Sequence, residues 1–160
     1  MKAQLISSAF LVAGLFAGCS KPESAPAAGP AAAGPRTIAI QAGDTMKYDV
    51  TSIEAKPGET LRVVLTNTGS LPKDAMGHNW ILLKSGSDSA AFATAAQVAK
   101  ATNYVPDALK GQILAQIELL GPKQSGEVTF TAPTAPGEYP YLCSFPAHFQ
   151  VGMKGVLVVK

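Results

Sequence analysis

The chain has 160 residues, 13 basic against 11 acidic side chains, a formal net charge of +2 and only 15% charged residues. That length favours one domain over two. No basic stripe runs along it, which excludes nucleic acid as a partner. It holds two cysteines, Cys19 and Cys143, and two histidines, His78 and His148. If Cys19 is used at the N-terminus, no disulfide is possible within the chain, and the fold must stand on its core and a metal.

Residues 1–18 read as an export signal. Lys2 gives a positive start, and Leu5 to Gly18 form a largely apolar run of 14 residues. A membrane-spanning helix needs about 20 such residues, so this run is too short to cross a bilayer. The signal ends in Leu15-Phe16-Ala17-Gly18-Cys19, which resembles the lipobox of bacterial lipoproteins, with Phe16 where leucine is usual. The resemblance implies that the Cys19 thiol is acylated and becomes the new first residue. Residues 19–35 are then a tether. They are nearly all Pro, Ala, Gly and Ser, too poor in branched and aromatic side chains to bury surface. Cleavage before Cys19 removes Lys2, leaving 12 basic against 11 acidic residues, so the mature protein is almost neutral. A lipid-anchored, monomeric protein of the bacterial cell envelope and periplasm is expected.

From residue 36 short β-like runs alternate with turn signals. Thr37 to Ile40 alternates, and so do Met46, Tyr48 and Val50. Leu61 to Thr66 is rich in branched residues and follows the turn at Lys56-Pro57-Gly58-Glu59. His78 to Lys84 reads as a strand with Asn79 and Trp80 at its start. Gln112 to Leu120 places Ile113, Ala115, Ile117 and Leu119 on one face. Glu127 to Thr131, Tyr139 to Cys143 and Lys154 to Val159 complete the series. About eight strands at this spacing predict an all-β Greek-key sandwich or barrel over residues 36–160. One segment differs. Ser89 to Thr102 is alanine-rich, with Phe92, Ala95, Val98 and Ala99 at helical spacing and Asp88 or Ser87 as its cap. It predicts one helix inserted between strands and packed outside the sandwich.

The chemistry concentrates in Cys143-Ser144-Phe145-Pro146-Ala147-His148-Phe149-Gln150-Val151-Gly152-Met153. A thiolate, an imidazole and a thioether share one loop between two strands, and His78 stands at the start of another strand. Taken singly, a methionine is more often core filler, a cysteine a small hydrophobe and a histidine a satisfied polar residue. Together, two His, one Cys and a weak Met are the ligand set of a trigonal electron-transfer copper site.

On these residues the sequence resembles the cupredoxins, the small blue copper proteins, and among them azurin and auracyanin. Leu71-Pro72-Lys73-Asp74-Ala75-Met76-Gly77-His78-Asn79-Trp80 is similar to the azurin segment around its first copper histidine. Cys143-Ser144-Phe145-Pro146-Ala147-His148 and Met153-Lys154-Gly155 are similar to its ligand loop. The resemblance implies one copper held by His78, Cys143, His148 and Met153, with the carbonyl of Gly77 as a weak further contact. It implies that Asn79 ties the ligand loop by hydrogen bonds, that Phe145 packs beside the ligands and that Trp80 fills the core. Four residues separate His148 from Met153, as in auracyanin, against three in azurin. The azurin disulfide has no counterpart.

Apolar residues flank the two histidine loops, so Met76, Ala147 and Phe149 are expected to form a docking patch for redox proteins such as c-type cytochromes. Three rivals fail on the residues. Multicopper oxidases and copper nitrite reductases need more histidines than two. A binuclear copper site needs a second nearby cysteine. A Cys143–His148 hydrolase pair leaves His78 and Met153 unexplained. A copper carrier or storage protein uses the same ligands, and ready exchange of the metal would mark it. The expectation is an electron carrier and not an enzyme.

Overall fold

The computed structural model describes residues 34–160. The export signal, Cys19 and most of the tether lie outside the described residues. Eight strands follow: β1 (Arg36–Ala42), β2 (Ser52–Ala55), β3 (Thr60–Asn67), β4 (His78–Leu83), β5 (Ile113–Leu120), β6 (Ser125–Thr131), β7 (Gly137–Leu142) and β8 (Lys154–Val159). They form a three-stranded sheet in the order β1-β3-β6 and a five-stranded sheet in the order β2-β8-β7-β4-β5. β1 runs parallel to β3 and β2 parallel to β8, and the other pairs are antiparallel.

Alternation explains the layering. β3 buries Leu61, Val63 and Leu65 completely and turns Arg62 and Thr66 outward. These leucines and valines meet Trp80, Leu82, Tyr141 and Leu157 of the other sheet in the main core. β4 buries all six of its residues because both its faces are covered. Trp80 and Leu82 face the main core, while Ile81 and Leu83 join Phe92, Ala93, Val105 and Leu142 in a second cluster outside the sheet. The inserted helix supplies that cover. Burying Phe92 alone contributes about 1.5–3 kcal/mol.

Among the described residues there are two α-helices: α1 (Lys73–Met76), a single turn, and α2 (Ser89–Ala96). Asp88 caps α2 by accepting from the amides of Ala90 and Ala91. The helix is shorter than the composition suggests, and its buried face is Phe92, Ala93 and Ala96. Val98 is 90% exposed. The chain tightens into a 3-10 turn over Lys100–Thr102, and Asn103 and Tyr104 then take left-handed backbone angles that no helix continues through. The second departure is at Met46 to Val50. This stretch alternates in sequence but makes only an isolated bridge, Ala42 to Tyr48, because Met46 turns at φ 54°.

Candidate metal centre

One end of the sandwich gathers the chemistry. β4 begins at His78, opposite the end of β5 at Leu120. β7 ends at Leu142 and β8 begins opposite it at Lys154, so residues 143–153 form the loop that joins them. The loop is closed by its own backbone. The Cys143 amide donates to the Met153 carbonyl at 3.1 Å, and the Met153 amide donates to the His148 carbonyl at 2.9 Å. The His148 amide donates to the Phe145 carbonyl at 3.1 Å and the Gly152 amide to that of Phe149 at 2.9 Å. Such tight turning requires left-handed angles at Ala147, φ 70°, and Gly152, φ 98°.

His78, Cys143 and His148 converge. Their donor atoms all lie within 4.8 Å of one another, and all three residues are buried. The Nδ1 atoms of the two histidines are 3.2 Å apart, and His148 Nδ1 is 3.5 Å from Cys143 Sγ. His78 Nε2 lies 3.0 Å from the carbonyl oxygen of Gly43. An N–H there donates to that oxygen, which assigns the proton to Nε2 and leaves the Nδ1 lone pair facing the cluster.

This donor set fits a soft cation. Nitrogen and sulfur donors at about 2.0–2.3 Å from one trigonal centre stand about 3.5–3.7 Å from each other, close to the two spacings that His148 Nδ1 makes, 3.2 and 3.5 Å. Burial pushes the His148 imidazole down to about 4, with His78 adding to the effect, and burial likewise lowers His78. Both rings therefore stay neutral at pH 7, as ligands must. Burial pushes the Cys143 thiol up to about 12, opposed by backbone N–H groups of Asn79 and Phe145 directed at the sulfur. A thiol so placed becomes a thiolate when a metal cation supplies the compensating charge.

The surrounding shell is hydrogen-bonded and aromatic. Asn79 Nδ2 donates to Ser144 Oγ at 2.8 Å, and its Oδ1 accepts from the Ser144 amide at 2.9 Å. Both residues are 1% exposed. This clamp joins the strand that carries His78 to the loop that carries Cys143. The Phe145 ring lies 4.7 Å from that of His148. Tyr104, from the insertion, meets Phe145 edge-on at 4.9 Å. The sequence offers no sign of Tyr104, since nothing local ties residue 104 to residue 145.

Met153 is fully buried at the end of the same loop, and Gly77 is buried directly before His78. A Cβ at Gly77 would stand 2.7 Å from the Lys73 carbonyl oxygen and 2.9 Å from Leu119 Cγ, so only glycine fits. Of the three docking residues expected, Ala147 is exposed, whereas Met76 and Phe149 are half-buried. Phe149 packs against the second apolar cluster, with the Lys154 ammonium 4.6 Å from its ring centre. Leu71 and Val151, at 43% and 42% exposure, are the large apolar side chains that reach solvent from the histidine loops.

Residues 36–160 match the family model of the copper-binding proteins of the plastocyanin/azurin type. The chain belongs to the plastocyanin/azurin family. It is 36% identical to auracyanin-B of Chloroflexus aurantiacus over 126 residues, 78% of this chain and 52% of that one. The chain thus spans about half the length of auracyanin-B. It is 35% identical to the azurin of Pseudomonas chlororaphis over 126 residues, 77% of this chain and 97% of the relative. The solved structure of auracyanin A, a "blue" copper protein from Chloroflexus aurantiacus, superposes with a TM-score of 0.69 at 36% identity, covering 79% of this chain and 100% of that one. This copper-family membership agrees with the eight strands and with the His-Cys-His cluster.

Proposed function

We propose that this chain is an electron carrier that passes single electrons between redox proteins, with one copper ion held by His78, Cys143, His148 and Met153. When bound, the copper supplies the redox change, alternating between Cu(II) and Cu(I). The chain's own residues do the rest. His78 and His148 present neutral imidazoles, and Cys143 presents sulfur backed by two amide N–H groups. The Asn79–Ser144 clamp and the closed loop hold these donors in place. A held geometry means little rearrangement when charge changes, which is the requirement for fast electron exchange. The Gly77 carbonyl is our candidate for a further weak contact.

The observation that carries this reading is the buried convergence of two imidazoles and one thiol. Exposures of 0–1% at these donors leave no approach for a substrate and slow metal exchange, so they favour an electron carrier over an enzyme or a copper store. The test is to add Cu(II) to residues 36–160. An intense blue thiolate band, bleached by one electron per chain and restored by an oxidant, is expected. A pale site that loses copper readily to a chelator would instead support the storage reading.

Partners are redox proteins, and c-type cytochromes are our proposal for them. They would dock on the histidine loops, where Ala147, Leu71 and Val151 are exposed and His148 is 1% exposed. The domain acts as a monomer, tethered in the bacterial periplasm through acylated Cys19. β1 fixes the span between residue 36 and the metal end. Arg36 pairs at one end of its sheet and Ala42 lies at the other, next to the Gly43 carbonyl that meets His78. Seven residues of strand, about 20 Å, separate an N-terminal tether from the metal end. Labelled fatty acid should enter the protein and be lost with Cys19→Ser, and equal labelling of both would refute the anchor.

A further inference from the structure

The connection from β1 to β2, residues 43–51, meets the metal centre at three points. The Gly43 carbonyl holds His78 Nε2, and the Lys47 ammonium lies against Gly152 of the ligand loop. The third contact is a buried hydrogen bond to the strand that carries His78. The Tyr48 hydroxyl donates to the carbonyl oxygen of Asn79 at 2.5 Å, in the interior.

We propose that Tyr48 is a positioning residue for the metal centre, its buried hydroxyl fixing the end of β4 that carries His78 and Asn79. Asn79 needs such a partner. On the β5 side the register pairs His78 with Leu120 and Trp80 with Ile117, and shifts between them, so Asn79 has no opposite residue. On the β7 side pairing covers only Ile81 and Leu82. A carbonyl on a residue 1% exposed, without a strand partner, must find a donor elsewhere. Tyr48 supplies it from a ring that is 4% exposed and packed 5.8 Å from Tyr141. The consequence reaches the sulfur. The amide of Asn79 is one of the two directed at Cys143, and its side chain is half of the clamp on Ser144. A loosened Asn79 would therefore slacken the hydrogen bonding of the thiolate as well as the position of His78.

Tyr141 provides a matched control. It is fully buried, belongs to the same aromatic cluster and also donates its hydroxyl to a backbone carbonyl, that of Val50 at 2.8 Å. That carbonyl lies in the connection and not on the ligand strand. The experiment compares Tyr48→Phe with Tyr141→Phe. In the metal-free protein, amide hydrogen exchange at Asn79 and Trp80 should quicken by about tenfold in Tyr48→Phe, beyond any change in the rest of β4, and not in Tyr141→Phe. In the copper-loaded protein, Tyr48→Phe should lower the reduction potential and change the copper hyperfine splitting, while Tyr141→Phe leaves both as they were. Equal and uniform changes in the two variants, or no local change in Tyr48→Phe, would overturn the proposal. The second arm rests on the copper reading and the first does not. A wild-type protein that never develops the thiolate band would refute that reading, and the exchange comparison would then decide the role of Tyr48 by itself.

Discussion

Replacing Asn79 by alanine measures how strongly the two halves of the centre are joined. The wild-type carboxamide makes two hydrogen bonds to Ser144, at 2.8 and 2.9 Å, between residues that are each 1% exposed. The substitution leaves the Ser144 amide buried without an acceptor, which costs about 1–3 kcal/mol. The missing carboxamide also leaves a small cavity, worth on the order of 1 kcal/mol. The sum is about 2–4 kcal/mol. For the 125 residues from Arg36 to Lys160, an unfolding entropy of about 2.1 cal/mol/K per residue gives a fall in midpoint of roughly 8–15 °C. Thermal unfolding of the metal-free protein, followed by circular dichroism, reads this directly. Ser144→Ala is the companion: it keeps the amide bonded to Asn79 but leaves the buried Asn79 Nδ2 without its acceptor, and should itself cost about 1–3 kcal/mol. A fall of less than about 2 °C for Asn79→Ala would refute the view that this clamp joins strand to loop.

The metal-free protein should also be sensitive to acid. His148 is held down to about 4 by burial and His78 is lowered too, while the unfolded chain protonates both near 6.5. The unfolded state then binds more protons across that interval, so stability is full above about 6.5 and is lost as pH falls toward 4. Urea midpoints at pH 7 and 4.5 check this, and His148→Gln should flatten the dependence. Gly77→Ala should destabilise the protein by about 1–3 kcal/mol, because the new methyl meets the Lys73 carbonyl oxygen at 2.7 Å and that backbone cannot yield without unwinding α1. Denaturant unfolding measures it, and a neutral result would show that α1 gives way freely. Ala147→Glu, at an exposed position beside His148, should leave the thiolate band intact and slow electron transfer to a c-type cytochrome several-fold through the encounter rate. Unchanged kinetics would remove Ala147 from the docking surface.

The convergence of His78, Cys143 and His148 was legible in the sequence because few residue types offer soft or imidazole donors. Two of the three lie on one short loop that ends at Met153, and the chain contains no further histidine. The strands were legible where one face is buried, since burial imposes a period of two, as in β3. The same rule misread Met46 to Val50, where alternation survives but the backbone turns at Met46. There Tyr48 faces inward to meet a carbonyl 31 residues away, not to join a sheet. The helix was legible as a helix from its alanines and the Asp88 cap, but its buried face was not. Which side of α2 is covered depends on Ile81, Leu83 and Leu142 beneath it.

Composition and spacing by themselves thus determined the donor atoms and the all-β class, because both rest on residue type and on near neighbours in the chain. The tertiary structure alone decided how those donors are held. The Gly43 carbonyl on His78, the Tyr48 hydroxyl on Asn79 and the Tyr104 edge on Phe145 each join segments far apart in sequence. Such contacts leave no local period or motif, since their energy is realised only when the two sheets have closed on each other and excluded water.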